Sequence, residues 1–241
     1  MLQKVQNSLF SLIYPQECRV CSSHVEDHSD GVACRECWAG TRIFDGSEML
    51  CNKCGAFFGE KAAPVAVFCR KCDDHHYDKA SAVGVYEKAL AASIVQLKNE
   101  PRLPKHLHLA ISKSKLDVLM KTDLIIPIPL SRLRRQERGF NQSDVIAEAV
   151  SRSLCVPIDK HSLTRKIHTP MHRIGMDQKA RELTVKNAFE VRRPKLVDGK
   201  NILLVDDVFT SGSTASSCAK VLKKNGAAGV TVFTLARAVM N

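Results

Sequence analysis

Aromatic side chains are scarce: one Trp, three Tyr and nine Phe make up 5% of the 241 residues. That scarcity argues against an extended base-stacking platform, which needs several exposed rings in succession. No apolar run approaches the roughly 18 residues of a membrane helix, so insertion into a bilayer is not expected. The stretch MLQKVQNSLFSLIYPQEC has only Lys4 ahead of its apolar residues and no small-residue cleavage site, which sets it apart from a secretory signal peptide. Leu2, Val5, Leu9, Leu12 and Ile13 share one helical face there, predicting a short helix packed on the next domain. Acidic residues are also in deficit, 25 against 36 Lys and Arg, and the net charge is +11.

The deficit is local. Residues 1–80 hold 9 Lys and Arg against 11 Asp and Glu, whereas residues 81–241 hold 27 against 14. The basic surface therefore belongs to the second half, where it can grip nucleic acid or neutralise a strongly anionic small ligand. The composition is otherwise that of a folded globular protein, and the length accommodates a small domain at 1–80 and a larger one at 81–241.

Eight of the ten cysteines fall in Cys-x-x-Cys pairs: Cys18/Cys21, Cys34/Cys37, Cys51/Cys54 and Cys69/Cys72. Twelve residues separate the first two pairs and fourteen the last two. Each pair aims two sulfurs at one point, and a second pair on a facing turn completes the tetrahedron that structural zinc prefers. The simplest reading is two tandem four-cysteine zinc ribbons holding about two zinc ions, with crossed pairing of the knuckles left open. His24, His28, His75 and His76 lie nearby but are not needed as ligands, and read as surface histidines. Thiolates held by metal fit a reducing compartment better than a disulfide framework does, so a cytoplasmic protein is expected. With little apolar content beyond Phe57, Phe58 and Phe68, the ribbons depend on zinc for folding energy, on the order of 10 kcal/mol per site. A closed four-thiolate site leaves no open position for catalysis.

From residue 81 strands and helices alternate. Ser81–Glu87, Asp123–Pro129, Asn201–Asp206 and Gly229–Leu235 read as strands. Lys88–Lys98, Pro104–Met120, Ser143–Leu154 (with Ser143 as N-cap) and Ser213–Lys224 read as helices. Such alternation predicts a doubly wound parallel sheet. The segment NILLVDDVFTSGSTA carries the chemistry. An apolar strand ends in Asp206 and Asp207, and a small-residue loop leads directly into a helix. Backbone N–H groups of Thr210, Ser211, Gly212, Ser213 and Thr214 can converge on a phosphate, aided by the helix dipole. Two acceptor-only carboxylates beside them suit ribose hydroxyls or the water shell of magnesium. No Lys follows the glycine as in a Walker A loop, and the Gly-x-Gly-x-x-Gly of dinucleotide folds is missing. The implied ligand has a sugar diol and a phosphate.

ILLVDDVFTSGSTA resembles the phosphoribosyl-pyrophosphate (PRPP) motif of type I phosphoribosyltransferases. With the double ribbon, AVGVYEKAL, IPIPLSRLRRQERGFNQSD, TPMH near residue 170 and Asn187–Phe189, the whole chain is similar to the ComF family, which includes ComFC and GntX-type proteins. The resemblance implies a type I phosphoribosyltransferase-like α/β domain preceded by the double zinc ribbon, with magnesium and PRPP bound by Asp206, Asp207 and the loop 210–214. It also implies a pyrophosphate loop over Pro129–Asn141 carrying Arg132, Arg134, Arg135 and Arg138, and a hood over 161–187. Asp144 is expected only to start its helix. Two functions follow from the resemblance: transfer of phosphoribosyl to an acceptor with release of pyrophosphate, in DNA uptake or nucleotide metabolism, or a non-catalytic PRPP-sensing adaptor that binds single-stranded DNA among competence-machinery proteins.

Overall fold

A computed structural model describes residues 15–61, 65–114, 121–166 and 188–239. The predicted helix over residues 2–13, the TPMH string and most of the expected hood lie outside the described residues.

The first ribbon contains a short helix α1 (Arg35–Ala39), and the second a small antiparallel pair, β1 (Met49–Leu50) and β2 (Phe57–Gly59). The chain then enters the sheet at β3 (Lys79–Val85) and continues into α2 (Lys88–Leu97) and α3 (Lys105–Lys113). Next come β4 (Leu124–Pro127), α4 (Arg132–Arg138) and α5 (Gln142–Leu154). A short antiparallel hairpin, β5 (Leu163–Arg165) with β6 (Phe189–Val191), is followed by α6 (Pro194–Val197). β7 (Asn201–Phe209), α7 (Ser213–Lys224) and β8 (Gly229–Arg237) complete the order. Strands β3, β8, β7 and β4 lie side by side in that order, all parallel, as the alternation predicted. β3 begins two residues ahead of the expected domain boundary.

Each face of the sheet has its own core, because both faces of a parallel sheet must be covered. On one face Val83, Ile125, Leu203, Val205, Phe233 and Leu235 pack with Leu90 and Ile94 of α2, Leu107 and Ile111 of α3, and Ile146 and Val150 of α5. On the other, Ile126, Ile202, Leu204, Val230 and Val232 pack with Ala215, Cys218, Ala219 and Leu222 of α7. The ribbons divide between these faces. Cys18, Val25, Ala33, Cys34 and Trp38 join the α2/α5 core, while Cys51, Cys54 and Cys72 join the α7 core. The link between the ribbons crosses the β3 edge: Phe44 donates to Val83 O at 2.8 Å and Val85 to Arg42 O at 3.0 Å. A Cβ on Gly84 would lie 2.3 Å from Arg42 O, so only glycine admits that crossing.

Three expectations are corrected. The central strand does not end at Asp206 but runs to Phe209, because β8 stays paired with it through Phe209↔Arg237. α5 starts one residue early, and its N-cap is Asn141, whose side chain accepts from Ser143 N at 3.3 Å, rather than Ser143. The arginine-bearing stretch after β4 is not all loop. Ser131 accepts from Arg134 N at 3.4 Å, and Gly139, in a left-handed conformation at φ 76, closes a two-turn helix between them.

Candidate ribose-phosphate site and metal centres

The sulfurs of Cys18, Cys21, Cys34 and Cys37 lie within 4.8 Å of one another, as do those of Cys51, Cys54, Cys69 and Cys72. Sequential rather than crossed pairing is thereby settled. The separations of 3.6 Å for Cys21–Cys34, 3.7 Å for Cys51–Cys72 and 3.4 Å for Cys54–Cys69 approach the ~3.8 Å edge of a tetrahedron with 2.3 Å zinc–sulfur bonds. Backbone N–H groups of Cys34 and Cys69 donate to Cys18 Sγ and Cys51 Sγ, both at 3.3 Å, as thiolate ligands require. The donor sets fit two structural zinc ions.

Asp206 and Asp207 stand near the carboxyl end of β7, where α/β sheets place their ligands. Beyond Pro127, β4 no longer flanks β7, and the start of α5 takes its place. Three buried polar residues do the joining. Asn141 Nδ2 donates to Ile128 O at 3.1 Å and to Asp144 Oδ1 at 3.0 Å. Ser143 Oγ donates to Asp206 Oδ1 at 2.9 Å, and Gln142 Nε2 to Asp207 Oδ2 at 3.2 Å. Asp206 Oδ1 also accepts from Asp207 N at 3.0 Å, and Asp207 Oδ1 from Val208 N at 2.7 Å.

These bonds hold two like charges together at a cost. Burial foremost, then the neighbouring Asp207 charge, pushes the Asp206 carboxyl up to about 7, against the Ser143 hydroxyl, the Asp207 N–H and Arg165. Burial likewise lowers Arg165, with the Arg134 charge adding to it.

Asp206, Thr210, Gly212 and Thr214 line one recess, closed below by Phe209, Ala215, Val232 and Thr234. Thr210 and Ser211 are exposed, Gly212 is buried, and in the first turn of α7 Ser213 N donates to Ser211 Oγ at 3.4 Å. The loop and the first turn of α7 thus border the same recess that Asp206 lines. Gly212 has φ 82, and a Cβ there would lie 2.5 Å from Phe209 Cζ and 2.9 Å from His75 Cε1. Glycine is thus required by the backbone and by the packing beneath it.

The four arginines do not act as one group. Arg132 and Arg135 are exposed on α4, while Arg134 and Arg138, one turn apart, are half-buried. Arg138 Nη1 donates to Gln142 Oε1 at 2.9 Å, and Gln142 in turn holds Asp207. Asp144 does more than start the helix. It is bonded to Asn141, and burial raises its carboxyl.

Sequence reasoning missed Gln142, Ser143, Arg165, Phe209 and Arg237. A signal was available for the first two: polar residues fill the opening turn of a helix that packs on the sheet, where apolar residues are the rule.

The double zinc ribbon domain family matches residues 9–73. Competence protein F of Haemophilus influenzae is 30% identical over 231 residues, covering 92% of this chain and 96% of its own. DNA utilization protein YhgH of Escherichia coli K12 is 31% identical over 235 residues, covering 94% and 99%. Competence protein ComFC of Bacillus subtilis is 33% identical over 120 residues, covering 47% of this chain and 44% of its own. Among solved structures, glutamine PRPP amidotransferase from B. subtilis overlaps 61% of the chain and 26% of its own, with TM-score 0.37 and 17% identity. So weak an overlap carries no argument. No helix among the described residues is long and apolar enough to cross a membrane.

Proposed function

The chain belongs to the family of Competence protein F and DNA utilization protein YhgH, and from that premise we propose that it binds magnesium–PRPP and transfers phosphoribosyl to an acceptor, releasing pyrophosphate. The observation that carries this reading is the recess shared by Asp206 and the 210–214 loop, with both carboxylates pinned by α5. The loop and the first turn of α7 receive the 5′-phosphate. Asp206 and Asp207 accept the ribose hydroxyls or hold the hydrated metal, which when bound screens the pyrophosphate charge. In the transfer, the bond from C1 to pyrophosphate breaks and its electron pair leaves with the pyrophosphate, while C1 forms a bond to the acceptor. Arg134 and Arg138 would offer planar guanidinium groups to the departing oxygens.

Binding to single-stranded DNA is supported by a separate observation. No residue of α4 is buried, and Arg132 and Arg135 are exposed beside the half-buried Arg134 and Arg138. DNA uptake, competence-machinery partners and a cytoplasmic location belong to the same proposal.

Calorimetry with magnesium and PRPP, followed by pyrophosphate release over candidate acceptors, tests the reading. Replacing both carboxylates, Asp206→Asn with Asp207→Asn, is expected to weaken binding by at least about 100-fold, as loss of two charge-assisted contacts predicts. Unchanged affinity in the double variant would overturn the site.

A further inference from the structure

The two four-cysteine centres differ in what touches them. In the first, Cys18 Sγ accepts backbone N–H bonds from Val20 and Cys34, and no basic side chain is bonded to a sulfur among the described residues. In the second, Arg237 reaches in from the end of β8. Its Nη1 donates to Cys54 O at 3.0 Å, and its Nη2 lies 3.7 Å from Cys54 Sγ. Arg237 is only 6% exposed, and among the described residues it forms no ion pair with a carboxylate. A buried guanidinium needs a counter-charge. Four thiolates on a divalent ion carry two excess negative charges, and hydrogen bonds from outside the ligand set are the usual way such centres are held and tuned.

The same guanidinium lies 4.1 Å from the Phe209 ring centroid, and Ala238 N donates to Phe209 O at 2.9 Å. Phe209 is the floor under Gly212. Tyr77 meets its ring edge-on at 5.8 Å, and the Tyr77 hydroxyl is 2.5 Å from His75 Nδ1. His75 in turn touches the Gly212 position, and His76 N donates to Ser216 Oγ in the first turn of α7 at 3.0 Å. Residues just after Cys72 thus brace the loop on one side, and Arg237 with Phe209 supports it from below.

We propose that Arg237 is a positioning residue that ties the second four-cysteine centre to the phosphate loop, so that the ribose-phosphate site is set by one of the two zinc centres and not by the other. Metal at Cys51/Cys54/Cys69/Cys72 supplies the counter-charge that keeps Arg237 buried. A buried Arg237 keeps the Phe209 ring in place, and the ring holds the 210–214 backbone. The consequence for PRPP rests on the function proposed above, whereas the physical linkage stands on these contacts.

The test uses the full chain loaded with zinc, comparing the parent with Arg237→Met and Arg237→Lys. In Arg237→Met, hydrogen exchange of amides 209–216 is expected to quicken about tenfold or more, with two zinc ions retained and residues 18–37 unchanged. In cobalt-substituted protein the thiolate-to-metal charge-transfer band should move to lower energy, because an N–H donor to sulfur is lost; altered packing alone would not move it. Arg237→Lys keeps a charge but cannot stack, so the band should partly return while fast exchange persists. Affinity for magnesium–PRPP should fall with loop protection. Parent-like exchange at 209–216, or an unmoved cobalt band, would overturn the proposal. Should Arg237→Met not fold, exchange is followed in the parent while a chelator withdraws zinc. Loop protection must then vanish with protection of residues 51–72, and survival of the loop after that loss is the contrary result. A parent that binds no PRPP removes the proposed function, yet the exchange and cobalt results still decide the linkage.

Discussion

The two ribbons share one ligand grammar but sit on opposite faces of the sheet, and the difference in placement outweighs the likeness in chemistry. The first packs against α2 and α3 through Trp38, whose indole donates to Asp30 O at 3.1 Å and stacks on His106 at 4.8 Å; His106 Nε2 lies 3.1 Å from Asp30 Oδ1. That contact fastens the ribbon to the helical side of the sheet. The second supplies Cys51, Cys54 and Cys72 to the core beneath α7, next to the recess. The same motif thus packs in two different places: against a helical layer in one case, beneath the recess in the other. Zinc content is a poor guide to function unless one knows which ribbon lost its ion.

The sharpest way to break that contrast is to empty one centre at a time. Cys21→Ser and Cys69→Ser should each reduce zinc from two ions to one, each forfeiting folding energy on the order of 10 kcal/mol locally. Calorimetry should find PRPP binding lost in the Cys69 variant and kept within a few-fold in the Cys21 variant; equal losses would erase the distinction.

A pair of glycines probes the same contrast with less damage. Gly84→Ala drives a Cβ into Arg42 O at the ribbon link, and Gly212→Val drives one into Phe209 and His75. Each should cost about 2–3 kcal/mol as overpacking, a melting shift of roughly 2–4 °C per kcal/mol at this size. Only the second should also weaken PRPP binding. Blocked ligand approach alone would leave the melting temperature unchanged; the ring beneath the glycine adds the thermal cost.

Asp206 sharpens the energetic side. Its folded-state carboxyl is raised to about 7, above its unfolded value, so the stability it contributes is present at low pH and lost as pH rises through 7. Asp206→Asn escapes this loss. Its melting temperature relative to the parent should therefore climb between pH 5 and pH 8, by the equivalent of about 1–2 kcal/mol once partial exposure is discounted. A constant difference across that range would place the charge in water.

The smallest effects concern the basic surface. If single-stranded DNA binds, removing Arg132 or Arg135 should reduce the salt slope by about 0.7 each in a filter-binding titration, while Lys53→Ala in the second ribbon leaves it unchanged. Substitution is the right instrument, because deleting residues 1–80 would also remove Tyr77 and Ala80 from the sheet core.

Local patterns made much of this molecule legible. Apolar runs covered on both faces announced Ile202–Val205 as a central strand, and tandem Cys-x-x-Cys spacing announced the ribbons. The order carboxylate, small-residue loop, helix announced the recess. The register between strands was not legible, and it extends β7 through Asp207 to Phe209. The side of the sheet that each side chain takes was equally hidden. Leu203 and Val205 face the α2/α5 core, and Ile202 and Leu204 the α7 core, but Val208 joins the first and Phe209 the second, so simple alternation fails just at the site.

The sequence by itself determined the eight metal-ligating cysteines and the alternation of strand and helix, because each follows from patterns among near neighbours in the chain. Only the tertiary structure decided that Gln142 and Ser143 hold the carboxylates, 65 and 63 residues away, and that Arg237 reaches Cys54 across 183 residues. Such pairings are fixed by sheet order and by which face a ribbon packs on. A buried charge or carboxylate finds its partner wherever the fold brings one within hydrogen-bonding distance, and sequence separation has no bearing on that distance.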